Sequence, residues 1–213
     1  VAFAANSLFC RQALGSELID PATFTSVRAL SGAVALVFIL MARGRPSFHG
    51  AGNWRSAFML FMYMAFFSFG YVTLNASTGA LILFGTVQLT MFVVARRDGE
   101  RFSLLSWSGL ALAAFGLVYL VSPGVTAPDV LGAALMTVAG ISWGFYSLLG
   151  RGVTNPLGAS ARNFIYIIPL ALLGNLVFLH DAATTLQGLA LAVASGAAAS
   201  ACGYVVWLSL IHI

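Results

Sequence analysis

Residues 21–45 read PATFTSVRALSGAVALVFILMARGR. From Pro21 to Ala42 the stretch is almost wholly apolar, and a membrane-spanning helix needs about 20 such residues. One charge, Arg28, interrupts it, and Arg43 and Arg45 follow at once. Arginines just past an apolar run mark the cytoplasmic end of a span, because basic loops stay on that side. The segment therefore predicts a transmembrane helix that enters the cytoplasm after Ala42.

The rest of the chain extends the pattern. Arg43, Arg45 and Arg55 fill one gap between apolar runs, Arg96, Arg97 and Arg101 a second, and Arg151 and Arg162 a third. The alternate gaps hold Glu17 and Asp20, or Asn75, or Asp129, or His180 and Asp181. Charge that alternates with every crossing is the pattern of a multi-pass membrane protein. It predicts that the loops with Arg43–Arg55, Arg96–Arg101 and Arg151–Arg162 are cytoplasmic.

Composition agrees. The 213 residues are 60% hydrophobic and 8% charged, against about 25% charged in soluble domains. The net charge of +4 comes from arginine alone, with no lysine. These arginines are spread over loops without a continuous patch, so no nucleic-acid partner is expected. Cys10 and Cys202 lie inside apolar runs without CxxC spacing and read as small buried residues.

Eight apolar runs are predicted as helices: Val1 to Leu14, Pro21 to Ala42, Trp54 to Leu74, Ser77 to Ala95, Leu104 to Ser122, Val130 to Leu149, Ser160 to Leu179 and Leu189 to Leu210. The first starts at Val1 with no upstream flank, which predicts a clipped helix. The runs are too long, and lack the period-two alternation, for a transmembrane β-barrel. Pro21 suits a first helical turn, Pro123 and Pro156 suit loops, and Pro169 is expected to kink the seventh helix. Small residues four apart (Gly109 and Ala113; Gly140 and Gly144; Ser195, Ala199 and Gly203) are expected to let helix backbones approach.

A repeat runs through these helices. Ser7-Leu8-Phe9-Cys10-Arg11 resembles Ser147-Leu148-Leu149-Gly150-Arg151, and Phe69-Gly70-Tyr71-Val72 resembles Cys202-Gly203-Tyr204-Val205. Each pair is separated by five helices, an odd number, so the copies would be inverted across the bilayer. Inverted repeats characterise many secondary transporters, with substrate held near the midplane.

Residues 99–118 give the most specific local signal: Gly-Glu-Arg-Phe-Ser, then Trp107, then Gly109-Leu-Ala-Leu-Ala-Ala-Phe-Gly116-Leu-Val. This resembles the end of a repeat in the EamA branch of the drug/metabolite transporter superfamily, where a Gly-Glu pair closes the fourth helix and a Gly-rich fifth follows. Asn6 to Arg28 resembles the family's opening helix pair, including an arginine in the second helix. The resemblance implies two inverted five-helix repeats around a central cavity, and a transporter of small metabolites, often an exporter. It divides the chain into a first repeat at residues 1–122 and an incomplete second at 130–213, eight helices of an expected ten. Leu208 to Ile213 depart from the family's continuation after Trp207. Gly85-Thr86-Val87-Gln88 stand where many members carry a proline midway along the fourth helix.

The candidate substrate residues are Arg28, Gln88, Asn6, Ser7, Tyr71, Trp143, Tyr146, Tyr166 and Tyr204. Arg28 lies about 10 Å into its helix at 1.5 Å per residue. Intramembrane charges are costly and face a cavity or a partner. Arg28 either holds a substrate carboxylate by paired hydrogen bonds, or snorkels to the extracytoplasmic interface or bonds carbonyls. Gln88, Asn6 and Ser7 either line the cavity or bond between helices. The aromatics line it or anchor at interfaces. Glu100 sits at a helix end, suited to capping or loop pairing. No Asp or Glu falls deep in any apolar run, which argues against coupling through a membrane carboxylate and against a cationic-drug site.

Other classes fit less well. Ala194-Ser195-Gly196-Ala197 faintly resembles an intramembrane serine protease motif, but a general-base histidine on a neighbouring helix is missing, and Val193 replaces the usual first glycine. His49, His180 and His212 lack metal-ligand spacing. The expected protein is an all-α polytopic inner-membrane transporter, not an enzyme, with no cofactor and no metal. Its partners are a small-molecule substrate, such as an amino acid, and the lipid bilayer. A lipid-carrier flippase or nucleotide-sugar carrier of the same superfamily is the alternative, and a non-transporting scaffold a third reading.

Overall fold

The computed structural model describes residues 2–44, 52–121, 128–178, 184–201, 203 and 206. Helices α1 (Ala2–Gly15), α2 (Pro21–Ala42), α3 (Trp54–Thr73), α4 (Ala76–Arg97), α5 (Leu104–Val121), α6 (Val130–Leu149), α7 (Pro156–Val177) and α8 (Leu186–Val193) follow one another. Helix α8 continues without a break into a π-helical segment, Ala194–Ala201. Five of these, α2, α3, α4, α6 and α7, are long and apolar enough to cross a membrane. The protein is an all-α polytopic membrane protein. Its exposed surface agrees: Val34, Phe38 and Met41 of α2, and Leu172, Leu176 and Val177 of α7, point outward, where hydrocarbon rather than water suits them.

Several loop residues that mark the gaps between spans also start the helices. Asp20, Asn53, Asn75, Asp129 and Asn155 each accept a hydrogen bond from the backbone N–H three residues on. Thr185 does so with its hydroxyl for α8. Each satisfies one of the N–H groups that a helix start leaves without an intrahelical partner. Pro156, expected in a loop, instead occupies the first turn of α7 behind Asn155, just as Pro21 follows Asp20. A proline's missing N–H costs nothing there. Helix α7 accordingly begins earlier than its apolar run, and α8 begins before Leu189. Pro169 lies on the exposed side of α7 and does not end it.

The Gly-Glu pair after α4 closes that helix. Gly99 adopts φ +92°, its N–H donates to Arg96 O, and the Glu100 N–H reaches back to Ala95 O at 3.1 Å. This left-handed closure favours glycine. The same turn ends α1, with Leu18 N–H on Ala13 O at 2.9 Å and Glu17 in the left-handed position at φ 52°.

Helix α3 packs along α6, α1 along α8 and its π continuation, and α2 against α7 and the π segment. Gly140 and Gly144 press on Thr86 and Thr90 of α4, as their spacing predicts. Gly109 and Ala113 do not serve that way: their face of α5 is exposed, and nothing lies within 4 Å of a Cβ placed on Gly109. Helix α5 meets α4 through Trp107, edge-on to Phe92 at 4.9 Å, and Phe102 just ahead of the helix stacks on the same Phe92 at 4.2 Å.

Both ends of the bundle are tied. At one end Leu18 O accepts the N–H and the hydroxyl of Thr185, both at 2.8 Å, Ile19 pairs with Thr184, and Thr73 donates to Asp129. Arg11 donates to Tyr71 O and Val72 O at 3.1 and 2.9 Å. It thus occupies the carbonyl end of α3, where a cation is favoured. At the other end the Asn53 N–H donates to Asn163 Oδ1 at 3.2 Å and Trp54 stacks on Tyr166 at 4.6 Å. Arg11→Met keeps the stem and removes these two bonds. Its unfolding midpoint in detergent is expected to fall by the equivalent of about 1–2 kcal/mol; an unchanged midpoint would show that the bonds contribute nothing.

Candidate functional site

A polar network occupies the interior where α1, α2, α3 and the π segment meet. Arg28 is 1% exposed, so it does not snorkel to an interface. Its Nε donates to Ser200 Oγ at 3.1 Å and its Nη2 to the Tyr63 hydroxyl at 3.2 Å. The guanidinium also lies over the rings of Tyr63 and Phe67, 5.4 and 5.1 Å from their centroids. Such faces attract a cation, and more strongly when water is excluded. Asn6 completes the network. Its Nδ2 approaches the Tyr63 hydroxyl at 3.5 Å, and its Oδ1 accepts from Ser195 Oγ at 2.6 Å. Cys10 lies 3.9 Å from the same Ser195 oxygen. The six acidic residues of the chain all fall in the gaps between apolar runs.

Beside the network is a small cavity of about 10 Å³, lined by Phe3, Asn6, Ser7, Tyr63, Phe67, Leu83, Phe84 and Trp143. That is room for about one water molecule. On its wall Phe3 meets Trp143 and Phe84 edge-on, at 5.7 and 6.4 Å.

The structure brings together four of the nine candidates: Arg28, Asn6, Ser7 and Trp143. Tyr146 is buried and its ring meets Trp143 at 5.3 Å, but it lines a separate space of about 20 Å³ with Ser56 and Asn163. Tyr71 is buried against Phe67 at 4.7 Å, and its hydroxyl donates to Ala76 O; it packs the end of α3. Tyr166 stacks on Trp54 and accepts from Arg162 Nε at 2.6 Å, an anchor at the arginine-rich end. Tyr204 lies outside the described residues. Gln88 is exposed on α4, where Phe84, one turn earlier, reaches the cavity instead. Gln88→Leu is therefore expected to leave ligand binding within about twofold of wild type, as surface substitutions do; a larger loss would place the amide in the site.

The partners of Arg28 and Asn6, namely Tyr63, Phe67, Ser195 and Ser200, are absent from the nine candidates, as are Phe3, Leu83 and Phe84 of the cavity. Ser195, weighed above as a nucleophile, donates its hydroxyl to Asn6.

Residues 1–122 match the EamA-like transporter family. The chain belongs to that family. The arginine of α2, the capped Gly-Glu turn after α4 and the fifth helix all fall within the matched EamA segment. The uncharacterized protein PA1977 of Pseudomonas aeruginosa is 46% identical over 209 residues, covering 98% of this chain and 73% of its own length. The uncharacterized inner membrane transporter YedA of Escherichia coli is 28% identical over 159 residues, or 70% of this chain. The chain spans 50% of the length of YedA. No solved structure matches it.

Proposed function

We propose that this EamA protein moves small carboxylate-bearing metabolites, of about the size of an amino acid, outward across the inner membrane by alternating access. The observation that carries the reading is Arg28, a fully buried cation at the centre of a network contributed by three helices and the π segment, beside a cavity. Intramembrane ionisable residues mark substrate pathways, and guanidinium is suited to bidentate recognition of a carboxylate. No catalytic step is assigned to the site.

The inverted-repeat reading, with units at 1–122 and 130–213, is supported by an exchange of neighbours. If α1 corresponds to α6, α2 to α7 and α3 to α8, a two-fold axis in the membrane plane turns the α3–α6 contact into the α8–α1 contact and α2–α7 into itself. All three packings are present. The gathering of Arg43, Arg55, Arg96, Arg97, Arg101 and Arg151 at the tips of successive spans, with Arg162 in the second turn of α7, supports a cytoplasmic assignment for that end.

Counterflow into proteoliposomes of the reconstituted protein tests the proposal, with labelled amino acids, organic acids, nucleotide sugars and a lipid carrier offered separately. Exchange of a carboxylate-bearing small molecule is the expected result. Movement of the lipid carrier or nucleotide sugar alone would overturn it in favour of another superfamily activity, and movement of none would leave a scaffold.

A further inference from the structure

We infer that an anionic glycerophospholipid docks on the outer surface of the bundle at its arginine-rich end, with an acyl chain in a groove between α3 and α6 and the headgroup phosphate on Arg55. The inference is independent of what the protein transports.

Helix α3 starts at this end, α6 finishes there, and the two pack along each other. Between them lies a groove of about 500 Å³, lined by Trp54, Arg55, Phe58 and Met59 of α3 and by Phe145 and Leu149 of α6. Every lining residue but Arg55 is apolar, and Trp54, Phe58, Phe145 and Leu149 are exposed. A concave apolar surface on a membrane-spanning bundle takes hydrocarbon rather than water. Trp54, stacked on Tyr166, marks the headgroup level, where tryptophan settles. Phe58 and Met59 lie one turn deeper, about 6 Å along at 1.5 Å per residue. The groove thus carries its one charge at the tip and its apolar wall below, the same order as the parts of a lipid. Arg55 is exposed and makes no hydrogen bond or ion pair among the described residues. It stands in the first turn of α3, where the helix dipole disfavours a cation and favours an anion. Its charge therefore gains nothing from its own helix, and a phosphate there would satisfy both. Arg151, two residues beyond Leu149, adds positive charge at this end. Asp98 and Glu100, the acidic residues at this end, follow α4 and do not line the groove. The charge selects an anionic lipid over a zwitterionic one, and the apolar wall selects a lipid over a soluble phosphate.

Native mass spectrometry of the purified full chain in detergent measures the binding of dioleoyl phosphatidylglycerol and dioleoyl phosphatidylcholine, two headgroups on the same chains. Phosphatidylglycerol is expected to bind about fivefold tighter, the effect of one arginine acting on an anionic lipid. Arg55→Gln is expected to erase that preference. Arg97→Gln, which removes an exposed arginine at the same end but off the groove, is expected to keep it. Leu149→Trp fills the groove and is expected to weaken both lipids several-fold. Should that variant fail to fold, Phe58→Ser removes an exposed wall instead, with the same loss expected. Glycerol 3-phosphate, the headgroup chemistry without chains, is expected to bind at least about tenfold more weakly than phosphatidylglycerol, since it leaves the apolar wall uncovered. Equal affinity for the two lipids, or an equal loss of preference in Arg55→Gln and Arg97→Gln, would overturn the role of Arg55. Glycerol 3-phosphate binding as tightly as the lipid, or unchanged lipid affinity in the groove variants, would overturn the lipid as occupant.

Discussion

Gly196→Val is expected to yield almost no folded protein. A Cβ on Gly196 would overlap the Arg28 carbonyl oxygen and Ser31 Oγ and stand 3.0 Å from the Gly32 nitrogen. Two of these atoms are backbone and cannot turn aside. Helix α2 and the π segment would have to separate, and overpacking in a close contact costs about 1–3 kcal/mol even where side chains can yield. Separation would also pull Ser200 from Arg28. The yield of monodisperse protein and its unfolding midpoint measure the effect. A variant as stable as wild type would show that the two backbones do not meet at this point. Gly109→Val is the control, because a Cβ there meets nothing within 4 Å.

Arg28→Met is expected to lower counterflow by at least about a hundredfold, since it removes one member of the buried charged pair that the proposal places between Arg28 and the substrate carboxylate, at a cost of about 3–5 kcal/mol. Arg28→Lys keeps the charge but loses the planar fork, and is expected to fall between the two. The measurement is the initial counterflow rate per folded protein, with the folded fraction read from the same preparation. Wild-type rates in Arg28→Met would remove the residue from the transport path and leave it a structural role.

The fold was legible because membrane physics is legible. Chain length per crossing and the placement of arginine depend on the bilayer, not on packing details, so the spans appear in the sequence nearly as they stand in the structure. Arg28 was legible for the same reason: a charge within an apolar run is anomalous whatever its neighbours. Tyr63 and Phe67 were not, because in a run rich in phenylalanine and tyrosine nothing but packing distinguishes one aromatic from the next. Ser195 and Ser200 were hidden by geometry. At 3.6 residues per turn, residues five apart point about 140° away from each other, which groups Ser195 with Ala199 and Gly203. The π segment, whose bonds run to the fifth residue, brings Ser195 and Ser200 toward one side, where they hold Asn6 and Arg28. Gln88 misled for the opposite reason. A polar residue mid-span is expected inside, but the cavity ends at Leu83 and Phe84, and Gln88, one turn further along the same face of α4, lies exposed beyond it.

The smallness of the cavity has a thermodynamic consequence. A space of about 10 Å³ beside the Arg28 network admits no metabolite, so if the proposed site is where substrate binds, every binding event includes the work of moving Phe3, Phe84 or Trp143 aside. If that opening costs about 2.8 kcal/mol, the competent form is about 1% of the population and the apparent affinity is about a hundredfold weaker than the intrinsic one. Affinity in this protein is then a sum of two quantities, contact and opening work. Variants that loosen the aromatic closure shift the second without touching the first. A variant that binds more tightly than wild type need not have gained any contact with its ligand.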